Sequence, residues 1–114
     1  MQLDYYTNKK EYEKISRGRK EGILRLVGGK KQPKILDVGC GRGILGEILK
    51  KDFQAIVHGV DFSAEAIRMA QKNIDKAWQM DLETDEWPPE IIDTKYDVLI
   101  ISEVLEHFFI RKNY

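Results

Sequence analysis

The chain has 114 residues and a mass of 13.3 kDa, room for one domain with a buried core of its own. Apolar residues make up 42% and charged residues 33%, which is ordinary for a folded globular domain and argues against intrinsic disorder. Lys and Arg total 19, as do Asp and Glu, so net charge points to neither nucleic acid nor an anionic membrane surface. The single cysteine excludes an internal disulfide and suits a reducing compartment. No apolar run approaches the ~18 residues of a membrane span, and Met1-Gln2-Leu3-Asp4-Tyr5 is too polar for a signal peptide. The expected location is the cytoplasm.

In chain order, residues 12–27 carry Ile15, Ile23, Leu24, Leu26 and Val27 among charges and predict a helix, interrupted near Gly18 and Gly22 and ended by Gly28-Gly29. Lys34 to Val38, between Pro33 and Gly39, is a strand. Ile44, Leu45, Ile48 and Leu49 repeat at helical spacing. Ala55 to Val60 is a second strand ending at Asp61. Ser63 can cap a third helix that has Glu65 in its first turn and Ala66, Ile67, Ala70 and Ile74 on one face. Ala77 to Met80 is a short third strand, Pro88-Pro89 is the sharpest break in the chain, and Tyr96 to Ser102 reads as a fully buried strand. A last helix starts at Glu103. The alternation predicts an α/β domain, a parallel sheet with helices on both faces.

Charge is unevenly spread. Residues 8–34 hold ten Lys/Arg against three Asp/Glu, and residues 75–106 hold ten Asp/Glu against two Lys. The plain reading is two solvated faces that attract each other across the fold. A basic segment meeting an anionic substrate is the alternative, weakened by the interspersed Glu11, Glu13 and Glu21.

The informative residues lie in the first strand-to-helix turn, Asp37-Val38-Gly39-Cys40-Gly41-Arg42-Gly43. Glycines at every second position permit positive φ and keep Cβ atoms away from a ligand. The helix that follows presents unpaired N–H groups and the positive end of its dipole. Asp61, about 20 residues on and at the end of the next strand, can accept both hydroxyl hydrogens of a ribose. A glycine turn with a distal carboxylate points to a nucleoside cofactor; the structural alternative is a tight turn with Asp61 as a helix cap.

Gly41 to Gly46 spells the dinucleotide fingerprint G-x-G-x-x-G, but in the wrong register. In that fingerprint the first glycine directly follows the strand; here that residue is Gly39, and the third glycine position then falls on Ile44. Asp37, two residues before Gly39, would repel a pyrophosphate and suits a cationic group such as an amino acid's ammonium. The expected ligand therefore has an amino-acid end and a nucleoside end.

These residues carry a resemblance. Ile35 to Gly43 resembles the first motif of class I S-adenosylmethionine (SAM) methyltransferases, and Gly59 to Ile67 their second. Gln79 to Glu83 is similar to the third, and Tyr96 to Phe108 to the fourth. The chain resembles the ubiquinone O-methyltransferases and MetW-like proteins among them, and Tyr5-Tyr6 with Tyr12 resembles the lid segment of that group. The resemblance implies a Rossmann-like fold and SAM or S-adenosylhomocysteine (SAH) as cofactor. It places Asp37 near the methionine ammonium, and Gly39, Cys40, Gly41 and Gly43 in the cofactor turn, with Cys40 itself a small packing residue. It puts Asp61 on the ribose hydroxyls, Phe62 over one adenine face (core packing being the alternative), and Asp81 with the Leu82 N–H on the adenine edge. Ser102 and Glu103 fall at the mouth of the fourth strand. Met80 stands where the family often has glycine.

On a helix Glu103, Glu106 and His107 share a face, and the same E-x-x-E-H pattern binds a divalent cation in some relatives. Two carboxylates and an imidazole suit Mg²⁺ or Mn²⁺. Many metal-free relatives carry the pattern too, so a divalent metal is not expected. His58, Trp78 and Trp87 read as packing or surface residues.

The resembled fold has seven strands ordered 3-2-1-4-5-7-6, of which this sequence supplies 3-2-1-4. The expectation is a single, incomplete SAM-binding domain over residues 1–114, with residues 1–30 as its lid and helix segment. Alone it is expected to be inactive. Three functions compete: a SAM-dependent methyltransferase, or its cofactor-binding half, acting on a small-molecule O or N acceptor; a catalytically silent SAM-binding or interaction module; and an NAD(P)-binding oxidoreductase domain. The apolar strand 96–102, left at a sheet edge without Pro or Lys, is expected to pair two chains into a homodimer.

Overall fold

The computed structural model describes residues 21–101. Residues 21–27 are helical (α1). Then follow β1 (Lys34–Val38), α2 (Ile44–Phe53), β2 (Ile56–Asp61), α3 (Ala64–Asn73), β3 (Lys76–Gln79), α4 (Pro89–Asp93) and β4 (Val98–Ile101). The four strands form one parallel sheet in the order β3-β2-β1-β4.

Local signals account for most of these boundaries. α1 stops at Gly28 and Gly29, with φ of 54° and 82°, a left-handed ending that costs glycine little. Ser63 caps α3 by accepting the Ala66 N–H at 3.1 Å. The register Lys34↔Ile56 through Val38↔Val60 brings Gly39, just beyond β1, level with the end of β2. Asp61↔Gln79 aligns the ends of β2 and β3.

Alternation along the strands builds two cores. Ile35, Val57, Ala77 and Val98 pack with Ile23, Leu45, Leu49, Ile67, Ala70 and Ile74 from α1 to α3 and their flanks. Leu36, Val38, Val60, Met80 and Ile91 form the core of the opposite face, with Trp78, Leu82 and Tyr96 against it. Burial of this apolar area is the main stabilising term.

Three expectations are corrected. β3 runs from Lys76 to Gln79, one residue earlier than expected, because it pairs in register with His58 to Asp61. The break at Pro88-Pro89 starts α4, with proline in the first turn, where its missing N–H has no intrahelical partner to lose. β4 is buried on one face only: Val98 is buried, while Leu99 and Ile101 are 58% and 45% exposed. Among the described residues α4 is five residues long and is tied toward β3 by Lys76–Glu90 at 2.6 Å.

The basic and acidic segments do meet. Lys30 Nζ lies 2.6 Å from Asp97, whose other oxygen accepts the Lys34 N–H at 2.8 Å. The Lys30 ammonium first, then that N–H, holds the Asp97 carboxyl below its ordinary range. Among the described residues no helix is long and apolar enough to cross a membrane.

Candidate functional site

The carboxyl ends of β1, β2 and β3 converge on one edge of the sheet, the position where open α/β sheets bind ligands. Beyond β1 the chain turns through Gly39, Gly41 and Gly43, all with positive φ (83°, 57° and 83°). Side chains other than glycine pay strain in that region. The Gly39 and Cys40 N–H groups both donate to the Val60 carbonyl, at 2.8 and 3.0 Å, which ties the turn to the last residues of β2. The Gly43 N–H donates to the Cys40 carbonyl at 3.0 Å, and Gly43 is the N-cap of α2.

Asp61, the last residue of β2, reaches this turn. Its Oδ1 accepts the Gly41 N–H at 3.0 Å, and its Oδ2 accepts the Ser63 N–H at 3.0 Å. Each oxygen retains a second acceptor position, so the carboxylate is held in place and can still take two hydroxyl hydrogens. Phe62 is 70% exposed beside it, which removes core packing as its role. Gln79 donates to the Phe62 carbonyl at 3.2 Å and steadies that corner.

Asp37 is buried at 1% exposure within β1. The Cys40 thiol is likewise buried; burial first, then the charges of Asp37 and Asp61, push its ionisation far up. Cys40 is therefore a neutral packing group, and its Sγ lies in the core against Gly59. A Cβ on Gly59 would sit 2.7 Å from that sulfur.

At the end of β3, Met80 is buried, and its N–H donates to the Asp61 carbonyl at 2.9 Å. Asp81 opens a tight turn. Its carbonyl accepts the Asp85 N–H at 2.8 Å, its Oδ1 accepts the Glu83 N–H at 2.9 Å, and its own N–H donates to Asp85 at 2.8 Å. Leu82 packs on the second core. The structure thus brings Asp37, Gly39, Cys40, Gly41, Gly43, Asp61 and Phe62 to one sheet edge, with Asp81 and Leu82 just beyond the adjacent strand.

Ser102, Glu103, Glu106 and His107 lie outside the described residues, as do residues 1–20 of the expected lid. Among the described residues no group of three or more His, Cys, Asp or Glu side chains could hold a metal ion.

Asn73 was not singled out from the sequence, whereas Gly46 and His58 take packing roles. Asn73, at the end of α3, donates to the Arg42 carbonyl at 2.9 Å. A Cβ on Gly46 would lie 2.5 Å from Ile74, so this glycine serves the packing of α2. His58, away from the ligand edge, is buried and bonds the Tyr96 hydroxyl at 2.6 Å, with its ring edge-on to Trp78 and Tyr96. Burial lowers its pKa from 6.5. The nearness of Asn73 to Arg42 and of His58 to Tyr96 has no local sequence signal, because each contact joins residues far apart in the chain.

A parallel sheet with a glycine turn after its first strand and a carboxylate closing that turn from the second defines a nucleoside-binding α/β domain. A family model described as a methyltransferase domain matches residues 35–113, and the chain belongs to that family, the class I SAM-dependent methyltransferases. It is 34% identical over 103 residues to the ubiquinone biosynthesis O-methyltransferase of Serratia proteamaculans, a match covering 86% of this chain and 42% of that protein. The Klebsiella pneumoniae enzyme of the same name is 38% identical over 88 residues, covering 75% and 36%. The chain thus spans about two-fifths of the length of these relatives. Among solved structures, a TehB-like SAM-dependent methyltransferase from Corynebacterium glutamicum superposes with a TM-score of 0.58 at 25% identity, covering 90% of this chain and 58% of that one. The plantazolicin methyltransferase BpumL, in complex with SAH, does so with a TM-score of 0.51 at 35% identity, covering 69% and 30%.

Proposed function

We propose that this chain binds SAM and SAH at the carboxyl edge of β1–β3 and serves methyl transfer to an oxygen or nitrogen of a small-molecule acceptor. The observation that carries the reading is the carboxylate of Asp61 fixed on the Gly41 N–H at 3.0 Å. It supplies a preset ribose acceptor directly beside a turn whose three glycines present no Cβ. Acidic side chains at Asp37 and Asp61, beside the glycine turn, suit the ammonium and sulfonium of SAM and oppose a pyrophosphate. That opposition, and the Ile44 register, disfavour the NAD(P) reading.

When bound, SAM supplies a methyl group on a positively charged sulfur, open to direct attack by a nucleophile. The chain's part is to bind and orient. Asp37 faces the ammonium end, directly or through water. Gly39, Cys40, Gly41 and Gly43 let the backbone approach, Asp61 takes the ribose hydroxyls, and exposed Phe62 covers an adenine face. Asp81 and the Leu82 N–H read the adenine edge. The O-methyltransferase relatives support an oxygen acceptor. The free, reduced cysteine supports a cytoplasmic site of action.

Calorimetric titration with SAH, SAM and NAD tests the reading. SAH and SAM should bind at micromolar levels and NAD should not. Binding of NAD with no response to SAH would sink it.

Among the described residues β4 pairs with β1 alone and exposes Leu99 and Ile101. These features support a second proposal, that two copies of the chain associate through the β4 edge.

A further inference from the structure

We infer that Asn73 is a positioning residue for the cofactor turn, acting through the Arg42–Gly43 peptide; the inference rests on the SAM-binding reading above. A turn built on three positive-φ glycines is intrinsically loose, because glycine has the widest range of backbone states to lose. Something outside the turn must choose one orientation for each of its peptide planes. For the Arg42–Gly43 peptide, both polar ends are held. The Asn73 Nδ2 donates to the Arg42 carbonyl at 2.9 Å, and the Gly43 N–H donates to the Cys40 carbonyl at 3.0 Å. Rotating this peptide would break both bonds together.

The clamp is braced from behind. Asn73 closes α3, and the next residue, Ile74, is buried. Ile74 is in the space that a Cβ on Gly46 or Gly59 would need. Gly43 itself lies so close to α3 that a Cβ there would be 3.3 to 3.4 Å from Ala70 and Asn73. The end of α3 is thus wedged against the turn, and the Asn73 amide is delivered to the Arg42 carbonyl by packed backbone. On the other side of Arg42, the Gly41 N–H is held by Asp61. The two side chains grip the turn on both flanks of one residue, Asp61 through the Gly41 N–H and Asn73 through the Arg42 carbonyl.

The test uses the full chain with Asn73→Ala and with Asn73→Asp, which keeps the shape but replaces the donor by an acceptor. Lys72→Ala, at the exposed neighbouring position, is the control. SAH affinity is measured by calorimetry at a temperature where circular dichroism shows each variant folded, and amide hydrogen exchange is followed at Gly41 and Gly43. Both Asn73 variants should bind SAH about three- to ten-fold more weakly, the scale of one hydrogen bond, with faster exchange at Gly41 and Gly43 and unchanged exchange in β1 and β2. Lys72→Ala should match wild type. Unchanged SAH affinity in both variants overturns the inference. So does a weakening that only tracks the fraction of unfolded protein, since that would make Asn73 a stability residue. If wild type itself ignores SAH, the SAM-binding reading has failed, an outcome distinct from either of these.

Discussion

The carboxylate of Asp61 accepts the backbone N–H of Gly41 at 3.0 Å, across 20 residues of sequence. With the Gly39 and Cys40 N–H bonds to the Val60 carbonyl, it joins the end of β2 to the turn after β1 and gives the turn a fixed wall. Replacing Asp61 by Ala should therefore weaken SAH binding by about 1.5–3 kcal/mol, the worth of hydrogen bonds to a charged group. Asp61→Asn keeps one acceptor oxygen and should lose less. Titration of the folded variants checks both, and an affinity unchanged in Asp61→Ala would falsify the ribose role.

Gly41 has a φ of 57°. Gly41→Val places a β-branched side chain in a left-handed conformation and next to the proposed ligand path. SAH binding should disappear while the far-ultraviolet circular dichroism stays close to that of wild type. Normal binding by this variant would make the glycine turn purely structural.

Gly59 lies under Cys40 and Ile74, where a Cβ would come within 2.7 to 2.9 Å of their atoms. Gly59→Ala should destabilise the domain by about 1–3 kcal/mol through overpacking, read as a shift of the urea midpoint at constant slope. A midpoint equal to that of wild type would mean that the Cys40 backbone and the Ile74 side chain give way without cost.

Burial lowers the pKa of His58 below its ordinary 6.5. As pH falls through that value, the unfolded chain takes up a proton that the folded chain still refuses. Stability is therefore present above pH ~6.5 and is lost progressively as pH drops toward the lower, folded value. The difference in Tm between wild type and His58→Gln should shrink or reverse between pH 7.5 and pH 5. A difference that stays constant over that range shows that the His58–Tyr96 pair carries no pH dependence.

Self-association through β4 predicts a dimer or larger species by light scattering at micromolar concentration. Lys placed at the exposed Leu99 should shift it toward monomer, because a charge on an edge strand opposes strand addition. A monodisperse wild-type monomer would refute the pairing.

Local sequence carried β1, the glycine turn with its positive φ, the Ser63 cap and the Asp61 position, because each is set by residue types within a few positions of one another. Strand alternation and the Gly28-Gly29 stop are of the same kind. The parallel order β3-β2-β1-β4 was legible through motif resemblance, since periodicity alone names strands but not their neighbours. Tertiary structure decided the rest. It set β3 one residue earlier through its register with β2, started α4 at the proline pair, and left Leu99 and Ile101 exposed on one face of β4. It also decided that Gly46 and Gly59 are packing glycines, that Cys40 faces the core, and that Asn73 holds the Arg42 carbonyl. Those outcomes depend on which atoms of distant segments arrive at the same place, and that is fixed only when the two cores close.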